Sequence, residues 1–311
     1  TEMALAAGLD LVFELPLPFA CNSAPCFAQG AVQSLDGLGI VDALCFGSEA
    51  GRVDGLQQAA VILNQKAKDV ERLTAELLRE GVNYPTARAN VLQQMAPDLP
   101  VEQLASPNNI LGLEYLRALD RIGSEIEPLT IRRQGAGYHD VAATGQIASA
   151  TGIRRMLMKG VSFDEYLPEQ CRRMLQAARQ AGLELDPDKL FTSLLVRLLQ
   201  GPEILDNIYQ VEHGLAERLT DAAQRAQNYA GLAAAVKSKH WTLTRVQRTL
   251  VYVLLQVSKV EIASFLAAGP LYLRLLGMSA TGRQCLAEAR TKRTLPIIMD
   301  PSKGAALLRK Y

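Results

Sequence analysis

The pattern of apolar residues changes character near Ser149, and that change constrains the fold more than any single motif. Before it, short apolar runs alternate with stretches of helical period. Residues 11–15 form a run closed by Pro16, residues 40–46 a second that ends at Gly47-Ser-Glu49, and residues 128–132 a third. Between them, 22–35, 56–80 and 109–119 carry apolar residues three and four apart. Residues 2–7 predict a short leading helix. Strands separated by helices predict βα units, a parallel sheet and ligand sites at the strands' carboxyl ends. After Ser149 the period is helical almost throughout, over 163–181, 187–200, 214–230 and 242–260. Asp186 ahead of Pro187 supplies a cap and a first-turn proline. A last apolar piece, 295–299, predicts a strand. The expected architecture is an α/β domain over 1–150 with a parallel, Rossmann-like sheet, and a mainly helical domain over 151–311.

Composition agrees with two packed domains. The chain has 311 residues, 49% hydrophobic, with a net charge of +1, which excludes a disordered chain. Aromatics at 5% favour helix over a β-sandwich. The uncharged stretch 15–35 contains Pro16, Pro18 and Pro25 with Asn22, Ser23, Gln29 and Gln33, which excludes a spanning helix. No charged leader with a cleavage site precedes it, so the expectation is a cytoplasmic protein without a membrane partner. The chain starts at Thr1, and Met3 lies inside the first helix, as in a protein that lacks its front. Cys21 and Cys26 have no neighbouring Cys or His pair to complete a zinc site. Cys45, in a strand, and Cys171, on an apolar helix face, are expected as core thiols, and no metal site is expected.

Several residues carry candidate chemistry. Gly47, where a strand gives way to a loop, lets a ligand approach the backbone. The pairs Gly37/Gly39 and Gly135/Gly137 lack the third glycine of a dinucleotide fingerprint, which excludes a Rossmann dehydrogenase. Ser106-Pro-Asn108-Asn109 opens a helix, and either Asn can face a cleft while a neighbour caps. Arg132 and Arg133 close a strand, placed to meet an anion. The densest signal is Ile147-Ala-Ser149-Ala-Thr151-Gly-Ile-Arg154. Hydroxyls, helix N–H groups and a cation one turn inside are what a polyphosphate needs. His139, His213 and His240 have no metal-ligand spacing, and no nucleophile elbow exists to pair with His139-Asp140.

Taken together these stretches resemble the tRNA(Met) cytidine acetate ligase family, a branch of the HIGH-type nucleotidyltransferases. The resemblance also rests on residues 8–16, on Phe46-Gly-Ser-Glu49, and on Thr130-Ile-Arg-Arg133 with Ala136-Gly-Tyr-His-Asp140. Asp188-Lys-Leu-Phe191, residues 242–248 and residues 272–277 carry it into the second half. It implies activation of acetate by ATP, with Mg2+, to acetyl-adenylate, and acetyl transfer to the wobble cytidine of elongator tRNA(Met). By position, Gly47, Asn108 or Asn109, and Arg132 or Arg133 would bind ATP, with Asn108 and Arg133 favoured. Ser149, Thr151 and Arg154 would grip the phosphates. The family's His-x-Gly-His segment has no counterpart, since no His precedes His139. No catalytic residue is therefore assigned, and weak or no ligase activity is expected of this stretch alone. Two other readings stay open, a HIGH-type adenylyltransferase acting on a small substrate and a non-catalytic tRNA-binding protein.

The net charge conceals a split. Residues 1–150 hold 10 basic and 18 acidic residues, net −8, and residues 151–311 hold 23 and 14, net +9. A basic second half suits a phosphate backbone, with Arg245, Arg248, Arg290, Lys292 and Arg293 as candidate tRNA contacts. Attraction between the two halves is the competing account.

Overall fold

The computed structural model describes residues 1–49, 51–82, 84–97, 106–133, 147–183, 186–212, 214–300 and 302. The chain forms two compact units. The first comprises Thr1–Gln176 and Pro270–Tyr311, the second Ala177–Gly269. A single boundary at 150 therefore differs from the observed division: the chain leaves the first unit at 176 and returns to it at 270.

The first unit opens with α1 (Glu2–Ala6), β1 (Leu11–Glu14), α2 (Leu17–Ala20), α3 (Ala24–Leu38) and β2 (Ala43–Ser48). Next come α4 (Asp54–Gln65), α5 (Ala67–Arg79), α6 (Tyr84–Met95), α7 (Pro107–Ile122) and β3 (Glu127–Arg132), then α8 (Ala150–Lys159) and α9 (Glu169–Gln180). The stretch 56–80, expected as one helix, divides at Lys66, whose backbone leaves helical geometry. After the second unit the chain adds β4 (Leu273–Met278), α16 (Ala280–Lys292) and β5 (Ile297–Ile298); α10–α15 belong to the second unit.

β2 and β3 pair in parallel, Ala43 opposite Glu127 and Ser48 opposite Arg132, as strand–helix alternation predicts. β1 does not join them. It pairs antiparallel with β4, Leu11 opposite Met278, and β4 pairs in parallel with β5. Arg274 and Glu14 form an ion pair of 2.9 Å across that antiparallel ladder. Neither β4 nor α16 follows from the apolar pattern.

One face of the β2–β3 ladder is packed. Phe46 joins Leu56, Leu63, Val91, Leu92 and Leu113, while Leu44 lies on the cluster of Val32, Ala118, Leu119 and Ile126. Gly112 permits this approach, because a Cβ there would lie 2.5 Å from the Phe46 ring. The opposite face is open: Leu129 is 43% and Ile131 67% exposed. Cys45 shares that face and is exposed, which corrects the expectation of a core thiol; Cys171 is buried. The five cysteines are free.

The second unit is helical: α10 (Phe191–Leu198), α11 (Pro202–Leu205), α12 (Leu215–Ala223), α13 (Tyr229–Val236), α14 (Leu243–Leu255) and α15 (Lys259–Ala268). Asp186 caps the turn at Pro187–Leu190 that precedes α10, accepting from the Asp188 N–H. The expected helix over 214–230 is two, because the chain turns before Asn228 caps α13. The helix expected to 260 ends at Leu255, where Gln256 turns left-handed and Ser258 starts α15 with a reciprocal capping box. Leu194, Leu198, Leu219, Leu232, Leu250 and Val253 fill the core. No helix among the described residues is long and apolar enough to cross a membrane.

Candidate functional site

The carboxyl ends of β2 and β3 and the first turn of α7 meet at one cluster. Ser48 is fully buried and organises the turn after β2. Its Oγ accepts from the Gly51 N–H at 2.9 Å and from Thr130 Oγ1 at 2.8 Å, and its carbonyl accepts from the Arg133 N–H at 2.9 Å. Gly51 is left-handed (φ +68°), and a Cβ there would lie 2.6 Å from Cβ of Arg132. This packs Arg132 against the turn.

Arg133 takes the other side. Gly47 lies beneath it, with Arg133 Cγ 3.5 Å from the place a Gly47 Cβ would occupy. Arg133 Nη1 donates to Asn108 Oδ1 at 2.9 Å, and Asn108 Nδ2 donates to Glu49 Oε1 at 2.8 Å. Asn109 is buried, and its Oδ1 accepts from the Glu49 N–H at 3.2 Å. The two adjacent asparagines thus do different work: Asn109 holds the turn, while Asn108 joins a carboxylate to a guanidinium. Burial pushes the Glu49 carboxyl upward. Hydrogen bonds from Asn108 and Ser106 and from its own backbone amide, with the Arg133 charge, outweigh that and hold it below the usual 4.5.

Ser149 caps α8 as expected, its side chain accepting from the Gly152 N–H at 3.0 Å. Thr151 and Arg154 are exposed on the same helix. Residues 134–146, which separate this cap from the Gly47–Asn108–Arg133 cluster in sequence and include His139, lie outside the described residues, as does His213. His240 is exposed. Gly39 ends α3 in a left-handed turn and Gly37 accepts backbone bonds from Thr294 and Leu295, so this pair serves chain packing.

The candidate tRNA contacts fall in different units. Arg290 and Lys292 are exposed on α16, with Arg293 half-buried at its end, all in the first unit. Arg245, half-buried on α14 in the second, is ion-paired with Glu212, and Arg248 is half-buried. The second unit also holds a groove of about 690 Å³ lined by Glu217, Arg218, Asp221 and Arg225. Arg218 there donates to the carbonyls of Ala235, Val236 and Lys237 at the end of α13, so its charge closes a helix. Among the described residues no three His, Cys, Asp or Glu gather to hold a metal ion.

The model of the HIGH Nucleotidyl Transferase family matches residues 1–310. The chain belongs to that family. This HIGH nucleotidyltransferase is 49% identical over 314 residues to a protein of Syntrophotalea carbinolica named tRNA(Met) cytidine acetate ligase, covering 99% of the chain and 74% of the relative. A relative of the same name from Thermoanaerobacter sp. is 37% identical over 97% of the chain and 76% of its own length. Among solved structures, apo Thermotoga maritima TmcAL superposes with a TM-score of 0.92 at 31% identity. The same protein bound to alpha-thio ATP gives 0.89 at 30%. Each covers all of this chain and 75% of the solved one.

One residue of the cluster escapes sequence reasoning. Glu49 was legible only as the last letter of Phe46-Gly-Ser-Glu49, with nothing to say that its carboxylate meets Asn108, 59 positions away.

Proposed function

We propose that this chain is an ATP-dependent acetate ligase that forms N4-acetylcytidine at the wobble position of elongator tRNA(Met); the name its relatives carry, tRNA(Met) cytidine acetate ligase, supports the acetate, the cytidine and the tRNA. An acetate oxygen attacks the α-phosphorus of ATP, the bond to the bridging oxygen breaks, and pyrophosphate leaves. The cytidine N4 then attacks the acyl carbon and loses a proton, and AMP departs with the electron pair of the broken acyl–oxygen bond. Neither step forms a bond to the protein. The protein's task is to hold reactants together and stabilise charge where it develops.

The observation that carries this reading is Arg133 hydrogen-bonded to Asn108 beside Gly47, at the carboxyl ends of two parallel strands. Gly47 leaves room for the nucleotide, Asn108 offers its amide, and Arg133 supplies fixed charge for phosphate oxygens. Asn109 and Arg132 support the turn. Ser149, Thr151 and Arg154 extend the phosphate site with free N–H groups at the start of α8. Mg2+ would come with the nucleotide and supply positive charge to its phosphates; the described residues provide no cage of their own for it. Both substrates place the reaction in the cytoplasm.

For tRNA the charge distribution by unit matters. The second unit, 177–269, holds 10 basic and 9 acidic residues, whereas residues 270–311 hold 8 and 2. The surplus that sequence halves assign to the helical domain lies largely on the segment that returns to the first unit. Arg290, Lys292 and Arg293 are therefore the favoured contacts to the tRNA backbone, ahead of Arg245 and Arg248. ATP–pyrophosphate exchange tests the reading. Exchange that requires acetate supports the ligase. Exchange indifferent to acetate indicates an adenylyltransferase of another small substrate, and tRNA binding without exchange a binding module.

A further inference from the structure

Glu49 has no part in the chemistry just described, yet it is wired into the centre of the cluster. Its Oε1 accepts from Asn108 Nδ2, and Asn108 Oδ1 accepts from Arg133 Nη1. A carboxylate can only accept and a guanidinium can only donate, so an amide between them has one satisfied orientation. Turned by half a rotation, Asn108 would set its NH2 against the guanidinium and its oxygen against the carboxylate, and both bonds would be lost. We propose that Glu49 is a positioning residue for the nucleotide, acting through Asn108 to fix that amide and hold the Arg133 guanidinium over Gly47.

Three features support this role. The Glu49 N–H is tied to the buried Asn109, so the carboxylate extends from a fixed turn. The carboxylate stays ionised at neutral pH, because hydrogen bonds and Arg133 outweigh the effect of burial. The side chain of Arg133 is exposed, so a bond such as the one it makes to Asn108 is needed to select one of its many rotamers. The inference rests on the reading of Gly47, Asn108 and Arg133 as the nucleotide site.

The test is calorimetric titration of ATP into the whole chain and into Glu49→Gln, Asn108→Ala and the double variant. Side-chain amide NMR of Asn108 in the wild type and Glu49→Gln accompanies it. Glu49→Gln keeps the shape but can accept from or donate to Asn108 and carries no charge, so the orientation of the amide is selected from the Arg133 side alone and the charge-assisted bond is lost. ATP affinity is expected to fall about tenfold in each single variant, the order of one charge-assisted hydrogen bond. The double variant should be no worse than Asn108→Ala alone, since one residue acts through the other. Melting temperatures should stay together, which a purely structural role would not give. Multiplicative losses in the double variant, or wild-type affinity in Glu49→Gln where Asn108→Ala is impaired, overturn the proposal. Absence of ATP binding by the wild type would instead overturn the nucleotide reading. The NMR measurement then judges the relay separately: a shifted, slowly exchanging Asn108 amide that loses both properties in Glu49→Gln supports it, and an unchanged resonance overturns it.

Discussion

The cluster at the ends of β2 and β3 and the cap at the start of α8 both offer hydrogen-bond donors and a cation to an anion, but they are built in opposite ways. The α8 cap is local: Ser149 bonds to Gly152 three residues on, and Arg154 follows within a turn. The strand-end cluster is assembled from afar, with Glu49 meeting Asn108 and Asn108 meeting Arg133 across 59 and 25 positions. A local motif announces itself in sequence and tolerates local damage. An assembled one is silent in sequence and depends on the packing beneath it.

Arg133→Ala should break the contrast most sharply. It removes the only cation bonded to Asn108 among the described residues, and ATP affinity should fall about 100-fold by calorimetry while melting stays unchanged. Neutralising Arg290 and Lys292 together comes next. The slope of log affinity for tRNA against log salt should shrink by about 2, near 0.9 per lost phosphate contact. Arg245→Ala, with its charge already paired to Glu212, should leave the slope unchanged. An equal effect of both would end the assignment of tRNA to α16.

Gly112→Ala probes the packing under the assembled cluster. Its Cβ would press on the Phe46 ring at 2.5 Å, costing about 1–3 kcal/mol in chemical denaturation. By pushing α7 off β2 it should also weaken ATP binding, although residue 112 never approaches the ligand. Ser149→Ala is the smallest, a cap loss of about 1 kcal/mol, with Ser149→Asp restoring it. pH offers a further check on the assembled cluster. The Glu49 carboxyl is held below 4.5, so its contribution is complete above that value and is lost only as pH falls through the lowered one. ATP affinity should accordingly be level across neutral pH.

These contrasts also explain what could be read in advance. Period and caps place β2, β3, α7 and the Ser149 cap, because each is decided by neighbours within a turn or along a strand. They also place Gly47, since a glycine at a strand's carboxyl end needs no partner to be noticed. They do not divide Asn108 from Asn109 or Arg132 from Arg133, since adjacent residues of one type differ only in the direction each side chain takes. Nor do they show that β1 is completed by β4. The Leu11–Met278 pairing joins residues 267 positions apart, and no periodicity encodes a partner at that distance.

That last pairing bears on the order in which the molecule can be made. The second unit, 177–269, is an insertion whose residues are all synthesised before β4 exists. A ribosome adds about 5–20 residues per second, so the helical unit has seconds in which to fold on its own. Meanwhile β1 waits for β4. β1 is therefore made long before the strand that completes it, and its exposure to misassembly lasts as long as translation of everything between the two strands.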